Sequence, residues 1–286
     1  MSIMNVLVLG LATIGAVQAR PKAYSFETPS IILPQPTPIP GYGVEPTSAP
    51  PAPSTPPPAD NSQLFRDLFS APTAIKRFQR LLTTKGESLL TGEALKALVV
   101  FDFNNAKPAP GAKGGATKAA NIETFPILTG LDMSTTMGFL GPCGMNSPHV
   151  HPRATEFLTV VEGAVKFGYV LENGLVKAGN NAEISGSLSR FQGTVFPMGS
   201  IHYQINEDCA PASFVATLDK EDPGTLTIAP SFFGLNKDVV SATLGYPQSL
   251  DGKDINAFRK SIPANIALSI DSCLKKCNID PNAAPK

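Results

Sequence analysis

Gly144-Met-Asn-Ser-Pro-His149-Val-His151-Pro-Arg-Ala-Thr-Glu156-Phe-Leu-Thr-Val-Val-Glu-Gly163 is the stretch on which the reading of this chain turns. A second stretch answers it, Gly193-Thr-Val-Phe-Pro197-Met-Gly199-Ser-Ile-His202-Tyr-Gln-Ile-Asn206. All three histidines of the chain, His149, His151 and His202, fall inside these two segments, and the first also carries Glu156. A lone histidine is more often a hydrogen-bonded core or surface residue than a ligand. Three of three beside a spaced carboxylate form the nitrogen and oxygen donor set of a divalent metal.

The spacing places these side chains. His149 and His151 are two apart, so on a strand both imidazoles point to the same side. Pro152 and Arg153 predict a bend, after which Glu156 returns on the next strand. Pro197-Met-Gly199 predicts a turn feeding a strand that carries His202 back past the first. A set of three histidines and one glutamate leaves two positions of an octahedral ion open, which suits Mn²⁺ best and Fe²⁺ next, with Zn²⁺ as a tetrahedral alternative.

Working outward, Phe157-Leu-Thr-Val-Val, Ala164-Val-Lys-Phe-Gly-Tyr-Val, Thr194-Val-Phe and Ser213-Phe-Val-Ala-Thr-Leu are short β-rich runs bounded by Gly, Pro and Asn, and Val99-Val-Phe-Asp-Phe reads the same way. Many short strands at close spacing predict an antiparallel sandwich or barrel. The histidine segment has no internal repeat, so a single barrel is expected. Helical spacing flanks it on both sides. Leu64, Phe65, Leu68 and Phe69, then Ile75, Phe78 and Leu82, are interrupted by Pro72, giving two short helices or one kinked one. After Phe232 the same spacing returns at Val239, Val240 and Leu244, and around Ala257, Phe258 and Ile262.

The N-terminal part has a different composition. Residues 1–19 form an apolar run ending in Val17-Gln18-Ala19, read as a cleaved secretion signal although its first residues lack Lys and Arg; a buried strand is the alternative. The run is too short for a membrane span of about 20 residues. Residues 20–60 are dominated by Pro with Thr and Ser, as in Pro50-Pro-Ala-Pro-Ser-Thr-Pro-Pro-Pro, and read as an extended, solvated linker. Residues 61–286 are left as the folding domain. Acidic and basic residues balance at 23 each, with no basic run interleaved with aromatics. That balance removes the electrostatic term on which nucleic-acid binding depends, so no nucleic-acid partner is expected.

The paired segments resemble the two motifs of the cupin superfamily, and His151-Pro-Arg-Ala-Thr-Glu156 is similar to germins and germin-like proteins, the spherulin type included. The resemblance spans roughly residues 98–245. It implies a mainly β chain, a single jelly-roll barrel with flanking helices, in which His149, His151, Glu156 and His202 match the family's manganese ligands. Where the first motif usually opens with Gly, this chain has Cys143, with Gly144 beside it. The resemblance also implies oxalate oxidation, oxalate decarboxylation or superoxide dismutation, or else a non-catalytic wall or storage protein with a structural metal, in an extracellular, homo-oligomeric setting. No catalytic residue is assigned. Asn146 matches one of two asparagines that hold oxalate in such enzymes, and the other position is Thr136; an ordinary turn residue before a strand is the equal alternative for Asn146.

The cysteines add an expectation from strand geometry. Counting back from His149 and forward from His202, Cys143 falls opposite Cys209 to within one position, so a Cys143–Cys209 disulfide is predicted for a secreted protein. Cys273 and Cys277 are then left to pair together, bridge subunits or stay free.

Overall fold

The computed structural model describes residues 61–245 and 262–281. The signal-like residues 1–19, the Pro-rich tract to residue 60, and Ala257 and Phe258 lie outside the described residues. Two helices open the domain, α1 (Ser62–Ser70) and α2 (Ala74–Leu82), parted at Ala71-Pro72-Thr73, where the Thr73 hydroxyl accepts the Lys76 N–H. Pro72 thus ends one helix, and Thr73 caps the next. A two-stranded hairpin, β1 (Thr83–Thr84) and β2 (Ser88–Leu89), leads to α3 (Gly92–Val99). The strand expected from Val99 onward is not there. The helix runs through Val99, residues 100–103 are irregular, and among the described residues no strand pairs with them. Phe101 packs instead on Phe103 and Phe125, with ring centroids 4.8 and 5.4 Å away.

The rest is mainly β. In chain order the strands are β3 (Gly115–Ala120), β4 (Ser134–Leu140), β5 (Gly144–Val150), β6 (Glu156–Glu162), β7 (Ala164–Val170), β8 (Ile184–Ser189), β9 (Gly193–Phe196), β10 (Ile201–Ile205), β11 (Ala212–Leu218), β12 (Leu226–Thr227) and β13 (Ala267–Leu268). Helices α4 (Ile228–Phe233) and α5 (Lys237–Thr243) follow β12, and α6 (Asp271–Lys276) follows β13. One antiparallel sheet has the order β12-β5-β10-β7-β8, with β13 also paired to β5; the other has the order β3-β4-β11-β6-β9. The two sheets pack face to face as a jelly roll. Leu158, Val160, Phe196 and Phe214 of the second sheet meet Val165, Phe167 and Leu188 of the first in one buried cluster.

Ile266, from the C-terminal segment, belongs to that same cluster. The segment reaches the core because the chain it crosses has no side chains in the way. Gly114 donates its N–H to Ile266 O at 2.9 Å, and a Cβ on Gly114 would collide with Ala267 O, while a Cβ on Gly144 would collide with Gly114 O. β13 then pairs with the opening of β5, Ala267 opposite Met145 and Leu268 opposite Gly144.

This route corrects the disulfide expectation. Cys143 is joined to Cys273 and Cys209 to Cys277, so Cys143 and Cys209 are each bonded, but not to one another. Two features defeat the count along the strands. A bulge between β5 and β10 shifts their register, and β13 with α6 closes over the end of β5, bringing both helix cysteines to the strand ends. Cys143 has φ 53°, the left-handed backbone that a glycine takes without strain, and its side chain is fully buried against α6.

Candidate metal centre

The centre lies between the two sheets. His149 sits near the end of β5 with His151 just beyond it, His202 is on β10, and Glu156 opens β6 in the opposite sheet. The register places His149 directly across from His202, the antiparallel return that the Pro197–Gly199 turn predicted. All four side chains are buried, and their ligand atoms lie within 4.8 Å of one another. Donors about 2.0–2.2 Å from a common ion are at most about 4.4 Å apart, so a small contraction closes the set around a first-row dication.

Each imidazole is oriented by the backbone. His149 Nδ1 is 2.8 Å from Ser147 O, His202 Nδ1 is 2.9 Å from Ser200 O, and His151 Nδ1 is 2.5 Å from Gly224 O. A carbonyl only accepts, so each Nδ1 carries its hydrogen and each Nε2 faces inward as the potential ligand atom. His151 Nε2 lies 2.9 Å from Glu156 Oε2, and His202 Nε2 lies 3.5 Å from the same oxygen without forming a hydrogen bond. His202 Nε2 is therefore a buried polar atom with no hydrogen-bond partner among the described residues. Such an atom is costly unless something occupies the space before it. The donor set and this orphaned nitrogen fit a metal ion, and no other described group competes for the position.

The electrostatics agree. Burial, helped by the neighbouring His202, lowers His149 to about 4, so its imidazole is neutral at neutral pH. Burial opposes ionisation of Glu156, yet the contact with His151 and the nearness of His202 win and hold it at about 2. His151 is raised, because its contact with the Glu156 carboxylate outweighs burial. The Glu156 carboxylate thus strengthens the hold of His151 on a proton, and a cation bound by both side chains would compete with that proton.

The fold supplies the rest of the frame. The His202 ring stacks on Phe196, centroids 4.4 Å apart and planes 13° apart. The bend after His151 is tied to residues 219–224. Arg153 Nε donates to Asp222 O at 2.8 Å and its Nη2 pairs with the Asp222 carboxylate at 2.7 Å, while Thr155 N–H donates to Asp219 Oδ1. These contacts hold Gly224 where its carbonyl meets His151.

Asn146 is buried beside the histidines although it is three residues from His149, a spacing that puts side chains on opposite faces of a regular strand. The bulge is the reason. Three steps on β5, from Asn146 to His149, oppose two on β10, from Gln204 to His202. The extra residue falls at Ser147-Pro148, where a proline lacking N–H is tolerated. Asn146 and Thr136 both line a cavity of about 150 Å³ that reaches His149, His151 and Glu156.

Asn265 also lines this cavity, and the sequence reading did not find it. Its Nδ2 donates to Asn146 Oδ1 at 2.6 Å and its Oδ1 accepts the Ser147 N–H at 2.7 Å. Pro263 followed by the short apolar run Ile266-Ala-Leu268 was the available signal for a core-entering strand, but nothing local tied it to the histidines.

Comparison with known proteins agrees with this architecture. The sequence profile of the family described as Cupin matches residues 101–255. Spherulin-1A of Physarum polycephalum is 36% identical over 220 residues, covering 77% of this chain and 80% of that protein. Germin-like protein 4-1 of Oryza sativa subsp. japonica is 33% identical over 153 residues, covering 54% of this chain and 59% of that protein. Among solved structures, a recombinant oxalate oxidase in complex with glycolate overlays with a TM-score of 0.47 at 22% identity, covering 57% of this chain and 82% of that one.

Proposed function

Because this chain belongs to the cupin family, in its germin-like branch and of the spherulin type, we propose that it is a secreted, extracellular manganese-binding protein acting on a small oxygen-rich substrate, superoxide or oxalate. The observation that carries the reading is the orientation of the three imidazoles, each locked at Nδ1 by a backbone carbonyl with its Nε2 turned toward Glu156. His149, His151, Glu156 and His202 would hold the ion. Three nitrogens and one oxygen favour manganese, then iron, with zinc as the alternative. When bound, the ion supplies Lewis acidity and one-electron redox chemistry.

The chain's own residues do the rest. Glu156 contributes a single negative charge, and the stacked and backbone-bonded imidazoles present their nitrogens without reorganising. The cavity admits only a small molecule, and its wall of Phe214, Ala216 and Leu218 keeps bulk water from one side. Thr136 stands where an oxalate-holding asparagine is expected, which favours superoxide, a reactant that demands less of its surroundings, and leaves a structural metal in a wall or storage protein as the second reading. Secretion is supported by the leader-like residues 1–19 and by two disulfides, bonds that persist in oxidising compartments. Self-association is supported by Phe157 and Val195, paired across β6 and β9 and exposed. No helix among the described residues is long and apolar enough to cross a membrane.

Metal analysis of the purified protein with electron paramagnetic resonance tests the ion: a manganese hyperfine pattern is expected, and bound zinc alone would refute it. Superoxide removal and oxalate-dependent peroxide release, compared with His202→Ala, test turnover. Full manganese with neither activity identifies the structural-metal reading. Light scattering that returned a monomer mass would rule out the oligomer.

A further inference from the structure

The two disulfides at the entrance of β5 differ in what can reach them. Cys143 and Cys273 are buried, at 0% and 4% exposure, in an apolar cluster with Leu274. Cys209 is exposed on the loop between β10 and β11, and its partner Cys277, at the C-terminal cap of α6, is half-buried. Exchange requires a thiolate to meet a sulfur, so a small thiol in solution reaches the second bond and is kept from the first.

The sulfurs nevertheless form one group. The Sγ atoms of Cys143, Cys273 and Cys277 all lie within 4.8 Å of one another. Cys277 is thus bonded to Cys209 while resting against the other disulfide. Opening the outer bond does not release it from that place. Its N–H donates to Cys273 O at 2.9 Å, Ile279 N–H donates to Leu274 O at 2.9 Å, and Lys276 Nζ donates to Glu207 O and to the Asp208 carboxylate. Cys143 N–H donates to Asp208 O at 3.2 Å, so the loop carrying Cys209 and the end of α6 both stay docked beside Cys143. A nucleophile held against its target reacts as if highly concentrated.

Helix geometry selects the sulfur that is attacked. Cys273 and Cys277 are four residues apart, and Cβ atoms at that spacing on a helix are about 5–6 Å apart. A disulfide requires about 3.5–4.5 Å. Cys143 stands on a different element and is free of that limit. In the exchange the Cys277 thiolate bonds to Cys143 Sγ, the Cys143–Cys273 bond breaks, and Cys273 leaves as a thiolate that takes up the proton Cys277 lost. No electrons are gained or lost in this step. The step before it consumes two molecules of a low-molecular-weight thiol, which end as their own disulfide while Cys209 and Cys277 become thiols.

We propose that Cys277 is a pivot for thiol–disulfide exchange, through which a low-molecular-weight thiol that reaches only the exposed Cys209–Cys277 bond opens the buried Cys143–Cys273 bond. The new Cys143–Cys277 bond contains the more accessible cysteine, so further thiol reduces it in turn. Reducing surroundings therefore remove the covalent hold of the C-terminal segment on β5 in a fixed order, outer bond first.

Cys209→Ser tests the pivot without any reductant, because it leaves Cys277 as a thiol in the oxidised chain. Trypsin cuts after Lys275 and Lys276 and so separates Cys273 from Cys277. With thiols blocked in acid before digestion, peptides linking Cys143 to Cys277 are expected beside those linking Cys143 to Cys273. Cys143 linked to Cys273 alone overturns the inference. The second measurement follows the Cys143–Cys273 linkage in the full chain under reduced glutathione. It should be lost at least about tenfold faster in the parent than in Cys209→Ser/Cys277→Ser, where no pivot exists. The double variant lacks a stabilising bond, so general loosening would give the opposite order. Equal rates, or a parent whose Cys143–Cys273 bond persists once Cys209 and Cys277 are thiols, also overturn it.

Discussion

The two ends of β5 are built by different means. At its exit, His149 and His151 are framed mostly by neighbours close in sequence, the carbonyl of Ser147, the bend at Pro152-Arg153 and Glu156 at the start of the next strand, with Gly224 O and the paired β10 and β12 as the distant contributions. At its entrance, Cys143 and Gly144 are held by the far end of the chain, through β13 and a disulfide spanning 130 positions. The first end carries the chemistry as a local motif. The second carries stability, and through Asn265 it reaches the same cavity. Chemistry confined to one short segment and its antiparallel return survives in sequence as a pattern, whereas a clamp between distant segments leaves no local trace.

The most decisive way to break this division is to delete a ligand. Glu156→Ala or His202→Ala should lower metal affinity by more than about a hundredfold, beyond the range seen when only an outer partner of a ligand is lost. The disulfides, at the other end of β5, should still form. Metal stoichiometry by mass spectrometry together with thiol titration of the unfolded protein checks both halves. Full metal in either variant would remove that side chain from the centre.

The converse change acts on the entrance. Replacing Cys143 and Cys273 together by serine should cost about 2–5 kcal/mol of stability while the four ligands, all lying elsewhere, keep their metal. The Cys209–Cys277 bond closes a span of 68 positions, about half as long. In the chain-entropy account its removal should cost about 0.6 kcal/mol less. Denaturant unfolding of the two double-serine variants measures the difference. Metal lost together with the Cys143–Cys273 bond would show that the two ends of β5 are one unit.

This division also explains what the sequence disclosed. The ligands were legible because period-two spacing, a proline bend and a Pro-Met-Gly turn each have a short-range cause, and strands β6, β7, β9 and β11 showed as β-branched and aromatic runs. β3 did not, since Gly115-Ala-Thr-Lys-Ala-Ala lacks that composition and is a strand only because β4 pairs with it. Val99-Val-Phe-Asp-Phe erred in the other direction, with strand-like residues and no partner strand among the described residues. The cysteine pairing failed at the Ser147-Pro148 bulge. A count along two strands assumes one residue per residue, and the bulge that brings Asn146 to the histidine side is the same irregularity that breaks the count.

The smallest expected effect concerns the buttress at the exit. Arg153 and Asp222 are both largely exposed, so their ion pair is screened and its removal should change stability by no more than about 1 kcal/mol. Its effect on the metal should exceed that modest figure. Arg153 holds residues 222–224 against the bend, and Gly224 O is the acceptor that aims the His151 ring. Loosening such a partner of a ligand typically lowers metal affinity by about 10–100-fold, and an indirect contact through a loop belongs at the lower end. Arg153→Ala should therefore weaken manganese about tenfold in a competition titration while barely moving the thermal midpoint. Arg153→Lys keeps the charge but loses the paired Nε and Nη2 contacts, so it should fall with alanine rather than with the parent. If lysine restores full affinity, net charge near the bend matters and the hydrogen-bonded frame around Gly224 does not.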